Sequence, residues 1–419
     1  MKILWLCNVV TAEIAETLEM PAPTGGGWIE GAASALAQEQ DIQLHICFPQ
    51  AKTPQLIKGE AKGVFYWGFP ASKQPAHIYD ATQEKYLRTI VEQVQPDAVH
   101  IWGTEFPHAL AMTKVFANSE KTIVNIQGLC GFIAKHYTAY LPDSACKAWT
   151  VRDLLKRDRI ADQQKKFSLR GQFEAQTLQN AGFAVGRTRW DRACIGQLAP
   201  NTQYRACNET LRDVFYENAG KWSPDSCERH SIFVSQAGYP IKGFHMVLEA
   251  MPAIVQRYPD AKLYTTGQDP FTIPFYRVNG YQAWLKKQIT KLGLRDKVCF
   301  LGALNATEMC QRFLKSHVFV SASSIENSPN SVGEAMLLGV PTVASYVGGT
   351  MDLLRDGEEG FLYQPDAAYL LADRVCNFFE DDAMAVRMGS NATKHAQVTH
   401  DPHKNLQCLM EIYREVSEQ

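Results

Sequence analysis

The sequence predicts an α/β protein made of two doubly wound, Rossmann-like domains that face each other across a cleft. Apolar strand-like runs alternate with helix-like stretches from the first residues onward, a pattern typical of a parallel sheet with helices on both faces. The alternation is interrupted by a polar stretch with Gly and Pro at residues 217–225, and it restarts after residue 230. Such an interruption is expected where a linker joins two domains.

In the first half, the strands are predicted from short apolar runs and the helices from longer stretches with one apolar face. The predicted strands are residues 3–10, 43–48, 98–102 and 122–126, and the predicted helices are 28–36 and 86–94. We assign residues 1–217 to the N-terminal domain.

The second half repeats the pattern behind a linker at residues 218–230. The predicted strands are residues 231–234, 262–265, 298–301, 318–320 and 342–344, separated by helices at 247–257, 281–292, 307–316 and 332–338. Residues 231–400 then form the C-terminal domain. Ligands of such sheets bind at the carboxyl ends of the strands, so both domains are expected to contribute to one site.

Composition excludes several classes of protein. A formal net charge of -2 provides no global field for binding nucleic acid. Eleven scattered cysteines without a Cys-x-x-Cys motif predict reduced thiols and not a disulfide framework. The apolar N-terminus is too short for a signal peptide, and no run approaches the roughly 20 residues of a membrane helix. We therefore expect a cytoplasmic protein.

The most informative segment contains Glu326 and Glu334, on either side of a predicted helix start. Ser328 and Pro329 fit the N-cap and the first helical residue, and Gly339 fits the end of the helix. The amides of a helix N-terminus attract phosphate. Carboxylates repel phosphate and more readily bind hydroxyl groups. Phosphate flanked by hydroxyl-bearing groups describes a nucleotide-sugar.

Three glycine-containing turns follow predicted strands or precede helices. The first consists of Gly25, Gly26 and Gly27, where the backbone can approach a ligand closely, although a plain tight turn is an equal reading. Residues 239–243 place Lys242 where its ammonium can reach phosphate, or where it is simply solvated. The turn at residues 348–349 can close over a sugar or serve only as a turn.

Two basic segments each allow two interpretations. Arg187 and Arg192 can clamp an anion, or they can belong to a structural Arg–Asp network. Residues 147–170 carry eight basic residues interleaved with apolar ones. This segment can lie on an anionic membrane surface, or form a solvated helical face, which we favour. No Asp-x-Asp or His-Glu-x-x-His motif occurs, so we expect neither a metal site nor a cofactor.

Together these motifs resemble family 4 of the retaining glycosyltransferases, which have the GT-B fold, over nearly the whole chain. The most specific part is the pair of glutamates at Glu326 and Glu334, followed by the Gly-Val-Pro of residues 339–341 and the turn at 348–349. Residues 186–192 and 239–243 resemble a bacterial subgroup of capsule and exopolysaccharide enzymes.

The resemblance implies a role for each of these residues. Glu334 is expected to bind the ribose of the nucleotide, Glu326 to contact the donor sugar, and Lys242 to neutralise the leaving phosphate. The last helix, residues 405–416, is expected to pack back on the first domain. The other implied donor-binding positions are Asn330, Ser331 and Val332 for the diphosphate, Gly302, Ala303 and Leu304 for the base, and Gly25, Gly26 and Gly27 at the donor–acceptor junction.

Two positions depart from the family pattern. Gln236 stands where the family often has an arginine, and Gln127 stands where it often has a histidine. Both can form hydrogen bonds but carry no charge. We include both among the catalytic candidates. Either Arg187 or Arg192 supplies the missing positive charge, or stabilisation of the phosphate is weaker, or the activity is altered.

The expected reaction is transfer of a hexosyl group from a UDP- or GDP-sugar to a hydroxyl of a glycan or lipid-linked acceptor, with retention of configuration. It fits polysaccharide or glycoconjugate biosynthesis at the cytoplasmic face of a membrane, with peripheral contact to that surface. Two alternatives stay open: a nucleotide-sugar epimerase or hydrolase on the same fold, and a catalytically weakened partner subunit that binds nucleotide-sugar.

Overall fold

The computed structural model describes residues 1–21, 27–51 and 54–419, apart from the side chain of Trp28. Contacts between residues divide the chain into two compact units. The first unit contains residues 1–134, 166–212 and 400–419, and the second contains residues 135–165 and 213–399.

The first unit is built on an eight-stranded sheet with the order β3-β4-β2-β1-β5-β6-β7-β8. All neighbouring strands are parallel except the edge pair β3 and β4, which is antiparallel. The strands are β1 Lys2–Cys7, β2 Gln43–Gln50, β3 Ile57–Ala61, β4 Val64–Pro70, β5 Ala98–Trp102, β6 Thr122–Asn125, β7 Phe183–Gly186 and β8 Gln203–Ala206.

The second unit is built on a six-stranded, fully parallel sheet with the order β11-β10-β9-β12-β13-β14. Its strands are β9 Glu228–Val234, β10 Lys262–Thr265, β11 Val298–Phe300, β12 Ser316–Ser321, β13 Thr342–Ser345 and β14 Phe361–Tyr363. The predicted fold class is thereby confirmed for each unit, because both contain parallel sheets whose strands alternate with helices.

Most strands of the two sheets are joined through helices, as parallel connections require. In chain order, the helices are α1 Ala12–Thr17, α2 Gly27–Leu36, α3 Thr82–Val94, α4 His108–Phe116, α5 Cys130–His136, α6 Asp143–Cys146, α7 Val151–Lys156, α8 Ile160–Gln179, α9 Arg189–Leu198, α10 Asp213–Glu217, α11 Phe244–Arg257, α12 Gly280–Lys291, α13 Ala306–Lys315, α14 Asn330–Leu338, α15 Thr350–Leu353, α16 Ala368–Glu380, α17 Asp382–Thr399 and α18 Pro402–Ser417.

The C-terminal helix α18 belongs to the core of the first unit. Its Tyr413 is fully buried, and the Tyr413 hydroxyl accepts a 2.7 Å hydrogen bond from the indole of Trp5 in β1. The same hydroxyl lies 2.8 Å from Nδ1 of His100 in β5. Burial lowers the pKa of His100 to about 3, so this ring is neutral. Helix α18 is therefore attached to the central strands of the sheet.

The predicted domain boundaries and the observed units differ at residues 135–165 and 213–230. Residues 135–165, expected in the first domain, group with the second unit. The expected linker, residues 218–230, is packed within the second unit, where Trp222 is buried and its indole donates to the carbonyl of Ser316 at 2.8 Å. The polar residues around Trp222 led to the prediction of an exposed linker, although the tryptophan itself is buried. Strand β9 also begins within the predicted linker, at Glu228.

Candidate functional site

Neighbouring strands β9 and β12 carry the two loops that bring the predicted catalytic residues of the second unit together. These strands are parallel and hydrogen-bonded, so both end at the same edge of the sheet. Strand β9 leads to a 3₁₀ turn, Pro240–Lys242, and β12 leads to the loop at residues 322–329. Lys242 and Glu326 meet where these two loops adjoin.

An ion pair joins the two residues, with Lys242 Nζ donating to Glu326 Oε1. The same carboxylate oxygen accepts a 2.7 Å hydrogen bond from Ser323 Oγ. Burial alone lowers the pKa of the Lys242 ammonium, but the charge of Glu326, the neighbouring Tyr239 and the hydrogen bond to Glu326 outweigh it, so the pKa lies above its ordinary value. The arrangement fixes a charged ammonium at the carboxyl edge of the sheet.

The Lys242 turn is held by contacts that only a glycine allows. Gly243 has a φ of +66°, and a Cβ atom there would lie 1.7 Å from the carbonyl oxygen of Ala322. Beside it, the amide of Ser324 donates to the carbonyl of Ile241 at 2.8 Å. The turn and the 322–329 loop are therefore fixed to each other through their backbones.

A second glycine turn supports Glu326 from the other side. Gly348 has a φ of +51°, and a Cβ atom there would lie 1.9 Å from the carbonyl oxygen of Glu326. The amide of Gly349 donates to that same oxygen at 3.1 Å. The turn at residues 348–349, predicted from sequence as a covering loop or a plain turn, is thus a support for the Glu326 backbone.

Helix α14 starts at Asn330, two residues before the predicted stretch 332–338 but one residue after Pro329, which the capping pattern predicts as the first helical residue. Pro329 has a ψ of 112°, which is extended and not helical, so it occupies the N-cap and Asn330 is the first helical residue. The predicted N-cap role of Ser328 is therefore wrong. The predicted end at Gly339 is confirmed, because Gly339 is the left-handed C-cap with a φ of 81°.

The first turn of α14 contains three of the predicted donor-binding residues. Asn330 and Ser331 are partly buried. The amide of Val332 already donates to the carbonyl of Pro329 at 2.9 Å, so it is less available to a ligand than the sequence suggests. One turn further on, Glu334 is buried at 5% exposure. A buried carboxylate is costly unless polar groups surround it.

The predicted base-binding segment follows β11. The amide and carbonyl of Gly302 both pair with Gly267, at 3.2 and 2.9 Å, in an isolated bridge. Gly302 has a φ of +74°, which suits a glycine. This pairing occupies the amide of Gly302, so a main-chain donor to a base would come from exposed Ala303 or half-buried Leu304, while the Gly302 carbonyl can still accept a second hydrogen bond.

Gln236, the second unit's departure from the family pattern, is exposed. Its Oε1 accepts a 3.2 Å hydrogen bond from the hydroxyl of Tyr239. Burial raises the pKa of Tyr239; the charge of Lys242 opposes this rise, and that of Glu326 adds to it. Gln236 is thus connected to the Lys242–Glu326 ion pair through Tyr239.

In the first unit, Gln127 belongs to a buried polar network after β6. Its amide nitrogen donates to Asn125 Oδ1 at 2.9 Å and to the carboxylate of Glu209. Glu209 also forms an ion pair with Arg187, whose guanidinium donates to the carbonyl of Ile126 at 3.2 Å. Asn125 and Glu209 also line a cavity of about 50 Å³.

This network bears on the two interpretations of the arginines. Arg187 and Glu209 are both buried, and their opposite charges compensate each other. Arg192 is exposed on α9. The two guanidinium groups therefore lie in different environments, and the buried ion pair favours the structural interpretation for Arg187. Sequence reasoning missed Glu209, which is a single acidic residue in an irregular segment with no motif to mark it.

Two carboxyl groups anchor the loop that contains Gln127. Glu174 is fully buried and accepts hydrogen bonds from the amides of Cys130 and Gly131 at 2.8 and 3.1 Å and from Thr104 Oγ1 at 2.9 Å. Burial raises the pKa of Glu174 to about 7 against these hydrogen bonds, and the charge of Glu105 adds to the rise. Glu105 itself accepts from the amide of Gly128 at 3.0 Å.

The remaining predicted positions lie at the start of the first unit. Gly25 and Gly26 are outside the described residues. Gly27 is the first residue of α2, and a Cβ atom there would lie 2.4 Å from the Cγ of Arg212. Its lack of a side chain therefore lets Arg212 lie against the helix start.

The described residues, 1–21, 27–51 and 54–419, also bear on metal binding and membrane spanning. Within these ranges, three or more His, Cys, Asp or Glu side chains do not come together as a metal site. Along the same residues, no helix combines the length and apolar character needed to cross a bilayer.

Comparison with known proteins places this geometry in context. Residues 217–395 match the family model described as glycosyl transferases group 1. This range contains Lys242, Glu326 and Glu334. A D-inositol 3-phosphate glycosyltransferase of Corynebacterium glutamicum is 25% identical over 158 residues, which cover 38% of this chain and 37% of that protein. The chain thus matches less than half the length of this curated relative.

Solved structures extend the similarity to the whole chain. Sucrose-phosphate synthase from Thermosynechococcus elongatus has a TM-score of 0.72 at 15% identity, over 99% of both chains. Anabaena HepE, solved in complex with UDP and glucose, has a TM-score of 0.66 at 17% identity, again over 99% of both chains. Identities this low show the fold alone, which is GT-B. Together the matches show the GT-B fold for the chain and a similarity of residues 217–395 to group 1 glycosyl transferases.

Proposed function

We propose that this protein transfers a hexosyl group from a UDP- or GDP-sugar to an acceptor hydroxyl, with retention of anomeric configuration. The observation that carries the proposal is the Lys242–Glu326 ion pair at the carboxyl edge of the second sheet, just before the N-terminus of α14. This part of the second unit therefore brings together a fixed positive charge, a carboxylate and the start of a helix.

The chemistry demands stabilisation of the departing nucleoside diphosphate. Negative charge grows on the leaving phosphate while the sugar becomes oxocarbenium-like, so preorganised positive groups lower the barrier. Lys242 and the first amides of α14, including that of Ser331, provide such groups. Until a donor binds, the carboxylate of Glu326 holds the ammonium in place.

The carboxylates serve the hydroxyl-bearing ends of the donor. Glu326, supported by Ser323 and the turn at residues 348–349, accepts a hydrogen bond from a sugar hydroxyl, and Glu334 accepts from the ribose. In the retaining mechanism, the acceptor attacks on the face that the leaving group vacates, and the leaving phosphate takes the acceptor proton. This mechanism requires neither a protein nucleophile nor a metal.

Similar proteins suggest the donor class. The Anabaena structure contains UDP and glucose, which fits a UDP-sugar on this fold. The acceptor in our proposal is a glycan or lipid-linked sugar, in polysaccharide or glycoconjugate biosynthesis. We further propose that the protein belongs to family 4 of the retaining glycosyltransferases. It is cytoplasmic in this proposal and makes peripheral contact with the inner membrane surface.

A second candidate is a partner subunit that binds nucleotide-sugar with weakened catalysis. The state of Arg187 favours it, because Glu209 neutralises the arginine that was expected to replace the missing charge in the first unit. Gln127 then acts with Glu209 as a hydrogen-bonding group only. An epimerase or hydrolase on the same fold is the third candidate.

A thermal-shift panel of nucleotide-sugars, followed by turnover assays, tests these candidates. A donor at about 100 times its dissociation constant adds about 2.7 kcal/mol of stability, enough to rank bases and sugars. Glycosyl transfer to an added acceptor supports the main proposal. Turnover without an acceptor identifies the epimerase or hydrolase, and binding without turnover identifies the partner subunit. The absence of any nucleotide-sugar shift contradicts all three.

A further inference from the structure

A short helix of the second unit displays its apolar side chains to solvent. Leu154 and Leu155 of α7 are 64% and 79% exposed, and Trp149 and Val151 are about half exposed. Leu155 has the highest exposure of the large hydrophobic side chains in the described parts of the chain. We call residues 149–155 the apolar edge. Contiguous exposed apolar groups mark binding surfaces more often than scattered ones do.

The polar side of this helix is the side that faces the protein. Asp153 is fully buried, and its amide donates to the N-capping hydroxyl of Thr150 at 3.1 Å. Arg152 bridges Asp153 and Asp158 at 3.1 and 2.9 Å. A helix at a protein surface normally buries its apolar side. Here α7 instead buries Asp153, which pairs with the partly exposed Arg152, and its leucines point outward.

Positive charge borders the apolar edge. Lys156 and Arg157 directly follow the two leucines and are exposed. The guanidinium of Arg159 lies 3.9 Å from the centre of the Trp149 ring. Lys147 is also exposed, but its charge is offset by the 2.6 Å ion pair with Asp143. The charge of Arg159 is likewise offset, by Asp162 at 2.8 Å, so Lys156 and Arg157 supply the positive charge at the C-terminal end of the edge.

A second exposed apolar pair lies on a neighbouring loop. Phe275 and Tyr276 are 77% and 51% exposed. Their loop leads into Gly280, where a Cβ atom would lie 2.9 Å from a carboxylate oxygen of Asp153 and 3.8 Å from the carbonyl of Ala148. The two exposed groups thus belong to chain segments that touch each other.

We infer that the apolar edge inserts into the headgroup region of a bilayer that contains anionic phospholipid. Leucine and tryptophan side chains enter the interface, and the basic residues beside them meet negative headgroups, which together give reversible binding. The inference rests on the membrane contact in the proposed function and makes no use of donor chemistry. It places the membrane contact in residues 149–155. It also explains why basic and apolar residues are interleaved in the segment 147–170.

The test uses the full chain and vesicle co-sedimentation. We expect binding to vesicles of phosphatidylcholine mixed with phosphatidylglycerol, weakening with added salt, and little binding to phosphatidylcholine alone. The variant Leu154→Ser/Leu155→Ser is expected to lower the partition coefficient by at least about tenfold. The matched control Val398→Ser, at a 62% exposed position of the same unit, is expected to bind like the wild type.

Specific outcomes overturn the inference. Wild-type binding that is equal with both vesicle types, or unaffected by the leucine substitutions, excludes this surface as an anionic-lipid site. A dimer in sedimentation equilibrium that the leucine variant dissociates assigns the edge to a second copy of the chain instead. A nucleotide-sugar thermal shift that is the same in wild type and variant shows that the variant folds. It also shows that the loss of vesicle binding is independent of donor binding.

Discussion

Lys242 and Glu326 are 84 residues apart in the chain and form an ion pair where two neighbouring parallel strands end. Neither residue is remarkable alone, since a loop lysine and a loop glutamate are ordinarily solvated. Two glycines that tolerate no side chain, Gly243 and Gly348, bring the loop backbones together. The pair is therefore a product of the backbone arrangement, and it is the centre of the donor site that we propose.

Removing the ammonium is expected to slow catalysis strongly. Lys242→Ala is predicted to lower kcat by about a hundredfold, because the growing charge on the leaving phosphate loses its fixed counter-charge. Steady-state kinetics with the donor chosen by the thermal-shift panel measures this. Lys287→Ala, on the exposed side of α12, is the control and should leave kcat unchanged. Equal kcat in wild type and Lys242→Ala removes this lysine from the mechanism.

Gly348→Ala is expected to displace Glu326. The new Cβ would approach the Glu326 carbonyl oxygen to 1.9 Å, so the backbone must move. We predict donor affinity lowered by about tenfold or more, since 1.4 kcal/mol of lost contact suffices. Gly293→Ala is a matched control, because Gly293 has a similar φ of +67° but open space around it.

Calorimetry on both glycine variants separates strain from displacement. Gly293→Ala should cost about 1 kcal/mol of stability through its left-handed backbone alone and keep donor affinity. If Gly348→Ala binds donor as tightly as Gly293→Ala, then the turn does not position Glu326.

The stability of the first unit is expected to depend on Glu174. Its pKa is about 7 in the folded protein against an ordinary 4.5, so the folded state binds the proton more tightly than the unfolded state. The contribution of Glu174 to the free energy of unfolding is then greatest below about pH 4.5. It decreases by about 3 kcal/mol as the pH rises towards 7.

Denaturant unfolding at pH 5 and pH 7.5 measures this difference. Glu174→Gln should remove most of the decrease, because the amide does not titrate. The exposed Glu120→Gln is the control and should keep the wild-type difference. An identical pH dependence in Glu174→Gln and wild type would show that Glu174 does not titrate in this range.

The Arg187–Glu209 pair is expected to be structural. Glu209→Gln should destabilise the protein by about 3–5 kcal/mol, because it leaves a buried guanidinium without its counter-charge. The double variant Arg187→Met/Glu209→Met should recover a large part of that loss, since two apolar groups need no compensation.

Nucleotide-sugar affinity separates the two roles of Arg187. A structural arginine predicts that Arg187→Met binds donor like wild type wherever it remains folded. A loss of affinity in Arg187→Met with unchanged melting temperature would instead restore the anion clamp.

Most of the regular structure and part of the candidate site could be predicted from the sequence. The strands at residues 98–102 and 262–265 are observed with the predicted bounds, because buried parallel strands appear as short apolar runs between turn residues. The end of α14 was predictable from Gly339, whose left-handed backbone conformation favours glycine. Its start was not, because Pro329 can occupy either the N-cap or the first helical position.

What could not be predicted depends on long-range packing. No local pattern links Glu209 to Gln127 and Arg187, since the contacts form only when separate strands of one sheet align. The assignment of residues 135–165 to the second unit has the same cause. Likewise, the outward leucines of α7 follow from the buried Asp153, which a helical pattern alone would place in solvent.

The most direct test of the central claim is a crystal structure with the nucleotide-sugar that gives the largest thermal shift. We predict the pyrophosphate at the first turn of α14 and beside Lys242, with Glu326 on a sugar hydroxyl and Glu334 on the ribose. A donor bound elsewhere, or bound there with both carboxylates turned away from its hydroxyl groups, would contradict the account.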